Sequence, residues 1–164
     1  MKFKDRFVKP LITAGVIMFL GFGSMIATEK DQVNGMSMSP TLDDKQTMIV
    51  LNDSFNLSGV DFGDVVTAQP AGYKAYVKRV VGLPGDTIEY KNNTLYRNGK
   101  PLTDFHSKDM LSKMGAPEND GAWDFELGDG EYYLLSDNLA IETEDSRTIG
   151  PVMESDILGE VLFY

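Results

Sequence analysis

No charged residue stands between Lys9 and Glu29, and the 19 residues that separate them are mostly apolar. As a helix, that length covers about 28 Å, close to the hydrocarbon core of a bilayer. The segment predicts a membrane-spanning helix over residues 11–27, with a tail at 1–10 and a folded domain at 28–164. Charge divides the chain the same way. Residues 1–27 hold Lys2, Lys4, Arg6 and Lys9 against Asp5, whereas the remainder holds 11 basic and 24 acidic residues. A basic flank before an apolar stretch predicts a cytoplasmic N-terminus and an acidic domain outside the cell membrane. The competing reading is a secretory signal peptide cut after Ala27, which would have a shorter apolar core.

A chain of 164 residues fits one domain plus small attachments. It has no cysteine, so disulfides and cysteine ligands are excluded. His106 is the only histidine, which excludes a histidine-rich metal site and leaves one candidate for any Ser-His-Asp triad. No cofactor is expected. A net charge of −10 argues against nucleic acid as a partner, because phosphate binding needs clustered Lys and Arg.

Beyond a short polar linker at 28–32, runs rich in Val, Ile, Tyr and Thr recur between turn signals. They predict strands at 47–51, 64–68, 75–81, 87–90, 94–97, 132–135 and 157–164. Lys91-Asn92-Asn93 and Asn98-Gly99-Lys100 carry turn chemistry on either side of 94–97, which predicts a hairpin. Many short strands with Gly-rich turns indicate a mostly β domain. Residues 103–130 break the rhythm with four glycines and a proline, and read as a surface excursion with a helical turn near 107–114.

Three motifs stand out. The first is Val33-Asn34-Gly35-Met36-Ser37-Met38-Ser39-Pro40-Thr41. The second is Tyr76-Val77-Lys78-Arg79-Val80-Val81-Gly82-Leu83-Pro84-Gly85-Asp86. The third is Ser136-Asp137-Asn138, followed by Thr143-Glu144-Asp145-Ser146-Arg147. Taken singly, each has an ordinary reading. Ser-Pro-Thr is turn material, and a lysine on a strand discourages aggregation. Together and in this order they resemble the bacterial type I signal peptidases, in the single-anchor form of Gram-positive organisms. These are membrane-bound serine endopeptidases with a Ser/Lys dyad.

The resemblance covers nearly the whole chain and implies a fold, a set of residue roles and a substrate class. The implied fold is a coiled antiparallel β-sheet domain behind one N-terminal transmembrane helix that is retained, in contact with membrane lipid. By the same resemblance Ser37 is the nucleophile and Lys78 the general base. Thr143 matches the position whose hydroxyl bonds that lysine. Met38 floors the site. Asp145 and Arg147 form ion pairs beneath it, with Arg79 taking part. Val33, Asn34, Tyr76 and Val77 contact a substrate bound as an extended strand. The implied partners are exported preproteins, cut after a small residue in an Ala-x-Ala-like pattern. One oxyanion donor is the Ser37 N–H, while Gly35 stands where some relatives have a second, hydroxyl donor.

A lysine base must be neutral. At its ordinary pKa of about 10.4, roughly one lysine in 2,500 is neutral at pH 7, and burial is what raises that fraction. On a strand, Tyr76 and Val80 share a face with Lys78 and desolvate it, while Arg79 points away.

The third motif departs from the family pattern Gly-Asp-Asn-Arg. Ser136 replaces a glycine that leaves room beside the lysine, Leu139 replaces an arginine, and the loop to Thr143 is one residue longer. These departures admit an alternative: a specialised or non-proteolytic relative that chaperones surface pilus components. A soluble Ser/Lys self-cleaving repressor is disfavoured by the apolar segment and the absence of a basic patch.

Overall fold

The computed structural model describes residues 28–52, 59–106 and 123–163. The predicted tail and transmembrane helix, and the helical turn near 107–114, lie outside the described residues. Eleven strands occupy the described chain: β1 (Thr28–Gln32), β2 (Thr47–Asn52), β3 (Val65–Ala68), β4 (Tyr76–Gly82), β5 (Thr87–Lys91), β6 (Thr94–Arg97), β7 (Lys100–Pro101), β8 (Trp123–Glu126), β9 (Glu131–Leu135), β10 (Val152–Met153) and β11 (Ile157–Phe163). One short helix, α1 (Ser146–Ile149), follows β9, and a 3-10 turn at Glu154–Asp156 precedes β11.

The strands form two antiparallel sheets, in the orders β1-β2-β11-β3-β4-β9-β10 and β7-β6-β5-β8. Alternation explains the long strands. Along β2, Met48 and Val50 are buried and Thr47 and Ile49 exposed, the period-2 pattern of a sheet with one covered face. β3 reads Val-Val-Thr-Ala and is buried throughout, as a central strand covered on both faces should be. The β5–β6 hairpin closes through Asn92-Asn93 at φ +51° and +54°, between the paired Lys91 and Thr94. Positive φ at both central residues is what a two-residue type I′ turn requires.

Two regions differ from expectation. The predicted linker at 28–32 is a strand: β1 pairs residue by residue with β2, from Thr28↔Leu51 to Gln32↔Thr47. It is a polar sheet edge, held by backbone bonding. The stretch at 103–130 is not wholly a surface excursion. Its end supplies β8, which pairs with β5, and Leu127 and His106 are buried.

Side chains pack in three groups. One holds Val81, Ile88, Tyr90, Leu95, Leu127, Tyr133, Leu135 and Leu139 over the smaller sheet. A second gathers Val66, Ala68, Val80, Leu134 and Ile157, with Tyr76 packed against it. The third holds Val33, Met38, Leu42, Met48, Val50, Val65 and Val161, with Val77 against it. Gly159 marks a close approach of β11 to β2, where a Cβ would lie 2.3 Å from the Leu51 carbonyl oxygen. A side chain there would force the strands apart.

Candidate active site

Ser37 follows Gly35, whose φ of +99° turns the chain out of β1 and past the sheet edge. The Gly35 N–H donates to Asp44 Oδ1 at 2.7 Å, and Val33 is tied to Gln46 and Lys45 by backbone bonds. These contacts set the loop on which Ser37 is carried. Lys78 comes from the middle of β4, opposite Val66 in register. Its Nζ lies 3.1 Å from Ser37 Oγ and 2.9 Å from the Val77 carbonyl oxygen, to which it donates. The two residues are far apart in sequence and meet only through this fold.

Lys78 is buried, 2% exposed. Tyr76 lies along it, with Nζ 5.1 Å from the ring centroid. Burial brings the lysine pKa down to about 8; the Asp145 carboxylate opposes this and Arg147 assists it. About a tenth of such lysines are neutral at pH 7, against roughly one in 2,500 for a free one. Burial also pushes the Tyr76 phenol well above its ordinary value, so it stays protonated. His106 is buried with Nε2 2.9 Å from the Ser136 carbonyl oxygen, and burial lowers its pKa. Its bonded partner is thus Ser136, not Ser37.

Beside Ser37 and Lys78 lie two ion pairs. Arg79 grips Asp137 through Nε (2.7 Å) and Nη2 (2.6 Å), and Nη1 donates to the Gly63 carbonyl. Thr41 donates to the same Asp137 carboxylate, which ties the serine loop to this pair. Asp145 receives Arg147 through Nε (2.8 Å) and Nη2 (2.7 Å). It also accepts from the Ser136 N–H and hydroxyl, and caps α1 through the Arg147 N–H. The motifs alone place Arg79 in one network with Asp145 and Arg147; in the fold its partner is Asp137.

A groove of about 710 Å³ runs past Ser37 and Lys78. Val33, Asn34, Met38, Tyr76, Val77 and Thr143 all line it. Met38 is 1% exposed and closes the groove floor. Asn34 is held at its rim by Lys45 Nζ, which donates to Asn34 Oδ1. Thr143 differs from expectation. It reaches the groove, but Lys78 Nζ bonds to Ser37 and the Val77 carbonyl, while the Thr143 carbonyl accepts from Thr148.

Sequence reasoning passes over Asp137 and Asn138 as site residues, although both stand in the third motif. Asn138 N–H donates to the Ser37 carbonyl at 2.8 Å, and Asn138 Nδ2 to the Met36 carbonyl at 3.3 Å. The departures in that motif are built into the fold. Ser136 donates its hydroxyl to Asp145. Leu139 is 1% exposed in the core, and Arg147 reaches the Leu139 and Ile141 carbonyls.

Comparison with known proteins agrees with this architecture. The family model described as signal peptidase, peptidase S26, matches residues 5–164. Signal peptidase I V of Bacillus subtilis (strain 168) is 34% identical over 139 residues, covering 79% of this chain and 81% of that protein. Signal peptidase IB of Staphylococcus aureus (strain N315) is 33% identical over 164 residues, covering 93% and 84%. The crystal structure of a signal peptidase I from Enterococcus faecalis V583 superposes with a TM-score of 0.50 at 26% identity, over 64% of this chain and 98% of that one. The chain belongs to the peptidase S26 family of signal peptidases. It is therefore an enzyme, a peptidase.

Proposed function

We propose that this protein removes signal peptides from exported preproteins, with Ser37 as nucleophile and Lys78 as general base. The observation that carries the reading is the 3.1 Å contact between Ser37 Oγ and a buried Lys78 Nζ whose pKa is brought to about 8. When Lys78 is neutral, the Ser37 hydroxyl donates to it. As Oγ attacks the scissile carbonyl, the proton passes to Nζ, and the resulting ammonium returns it to the leaving amine. Water then cleaves the acyl-enzyme, with Lys78 again accepting a proton. The Ser37 N–H donates to no group among the described residues and serves as oxyanion donor.

The substrate lies extended along the groove. β9 pairs with β4 only from Arg79 onward, so Tyr76, Val77 and Lys78 keep one edge outside any strand pairing on which a peptide can add. Val33, Asn34 and Val77 bound the space for small side chains at the −1 and −3 positions. The test is cleavage of an Ala-x-Ala preprotein by the purified protein in detergent, beside Ser37→Ala. Cleavage that survives Ser37→Ala contradicts the reading. The pilus-chaperone alternative rests on Ser136 and Leu139. Both residues are accommodated without loss of the Ser37–Lys78 contact, which favours proteolysis.

Lys78 makes the pH dependence specific. Its neutral form is the active one, so kcat/KM falls as pH drops below about 8 and levels above it. Measured from about pH 6 to pH 10, the profile should rise with unit slope on its acid side. A profile that levels by about pH 7.5, as a histidine base of ordinary pKa about 6.5 gives, contradicts a lysine base.

Residues 11–27 are proposed as the retained membrane anchor, with residues 1–10 in the cytoplasm and 28–164 outside. The basic flank and the charge-free segment support this. Protease added to intact protoplasts should digest the domain. Complete protection of the domain would place it in the cytoplasm and end the export reading.

A further inference from the structure

Asn138 has no part in the proton transfers, yet it holds both peptide groups that flank the Ser37 α-carbon. Its backbone N–H donates to the Ser37 carbonyl at 2.8 Å, and its side-chain Nδ2 to the Met36 carbonyl at 3.3 Å. The amide orientation is set by its other end, where Oδ1 accepts the Ala140 N–H at 3.3 Å, leaving Nδ2 to face Met36. The Met36 carbonyl and the Ser37 N–H belong to one planar peptide group. In a trans peptide the C=O and N–H bonds point in opposite directions. A donor that holds the Met36 oxygen on one side therefore fixes the direction of the Ser37 N–H on the other.

We propose that Asn138 is a positioning residue that aims the Ser37 N–H at the transition-state oxyanion. The proposal rests on the dyad reading above. It has particular weight in this chain because Gly35 supplies no hydroxyl to share the oxyanion, so the aim of one N–H matters more. Asn138 is itself braced. Leu139 beside it is buried in the core, and Arg147 Nη1 donates to the Leu139 carbonyl at 3.0 Å. The residue that departs from the family's arginine thus seats the asparagine, and Arg147 holds the backbone there. Among the described residues the Met36 carbonyl has one other donor, the Ser39 N–H at 3.2 Å. Loss of the asparagine amide should therefore misalign the donor without freeing the loop.

The test uses the full chain in detergent with an Ala-x-Ala preprotein, comparing wild type, Asn138→Ala and Asn138→Asp. The aspartate keeps the shape and the Ala140 contact but cannot donate from its ionised side chain. Both variants should lose about 10- to 100-fold in kcat, part of what a whole oxyanion donor contributes. KM should stay within about twofold and Tm within a few degrees. Asn138→Ala should keep the wild-type apparent pKa near 8, because the base is untouched. An unchanged kcat in both variants overturns the proposal, as does a loss carried by KM, by Tm or by a displaced pH profile in Asn138→Ala. Failure of the underlying reading looks different: wild-type cleavage would survive Ser37→Ala, and the proposal would fall with it.

Discussion

Ser37→Ala and Lys78→Met should each lower cleavage of an Ala-x-Ala preprotein by at least about 10⁴-fold, and the double variant should be little worse than either alone. The near-absence of a further loss is the informative part. In the proposed mechanism the two side chains act as one unit, so removing either should end the same step. His106→Gln is the control. Its ring is bonded to the Ser136 carbonyl and takes no part in the proposed transfers, so activity should stay within about threefold of wild type. Full activity in Lys78→Met would sink the dyad.

The same lysine should reveal itself in stability. Burial holds its folded pKa at about 8, below the ordinary value of 10.5. Below pH 8 the native state therefore carries a buried ammonium, at a cost on the order of 3 kcal/mol. The cost declines as pH rises from about 8 toward 10.5, because there the unfolded chain still binds a proton that the native state has released. Lys78→Met should accordingly raise Tm by several degrees at neutral pH, and by less near pH 10. A variant that is inactive yet more stable is the expected sign of a site that holds a group under strain.

How legible all this was depended on where the information sits in the chain. β4 could be read from its own residues, because a run of valines beside Tyr76 and Lys78 specifies a strand and its alternating faces. β1 could not. Thr28-Glu29-Lys30-Asp31-Gln32 has no apolar pattern, and it is a strand because β2 offers it backbone partners. Polar edge strands keep their side chains in water and so leave no periodic trace. The Ser37–Lys78 meeting was legible only through the ordered motifs. Spacing could not say which carboxylate Arg79 would take, because Asp137 arrives from β9 through the register Arg79↔Leu135. Nor could it say that Lys78 Nζ would bond to Ser37 and the Val77 carbonyl. Leu139 looked like a lost charge. In the fold it is a core side chain, and Arg147 takes up the loop carbonyls beside it.

Asp145→Asn should be the most destabilising single change at the site, by about 3–5 kcal/mol. The Asp145 carboxylate is fully buried and accepts from Arg147 Nε, Nη2 and N–H and from the Ser136 N–H and hydroxyl. An amide removes the charge and turns one acceptor into a donor that faces other donors. Arg147, whose side chain is 9% exposed, is left as an uncompensated buried cation. Burial alone would raise the Asp145 pKa, but Arg147 and Ser136 outweigh it and hold the group below its ordinary value of 3.8. A depressed folded pKa means the stabilisation is fully present above about pH 4 and disappears as pH falls through the lower folded value. Wild type should thus lose stability below about pH 4, and Asp145→Asn should lose less there, because it has already lost that contribution. The catalytic consequence has a definite sign too. Asp145 raises the Lys78 pKa and Arg147 lowers it. Without the carboxylate the lysine pKa drops further, so the folded variant's rate profile should shift to lower pH. Thermal melts and pH–rate profiles of the same preparation check both. A variant as stable as wild type with an unmoved profile would show that Asp145 neither supports Arg147 nor acts on Lys78.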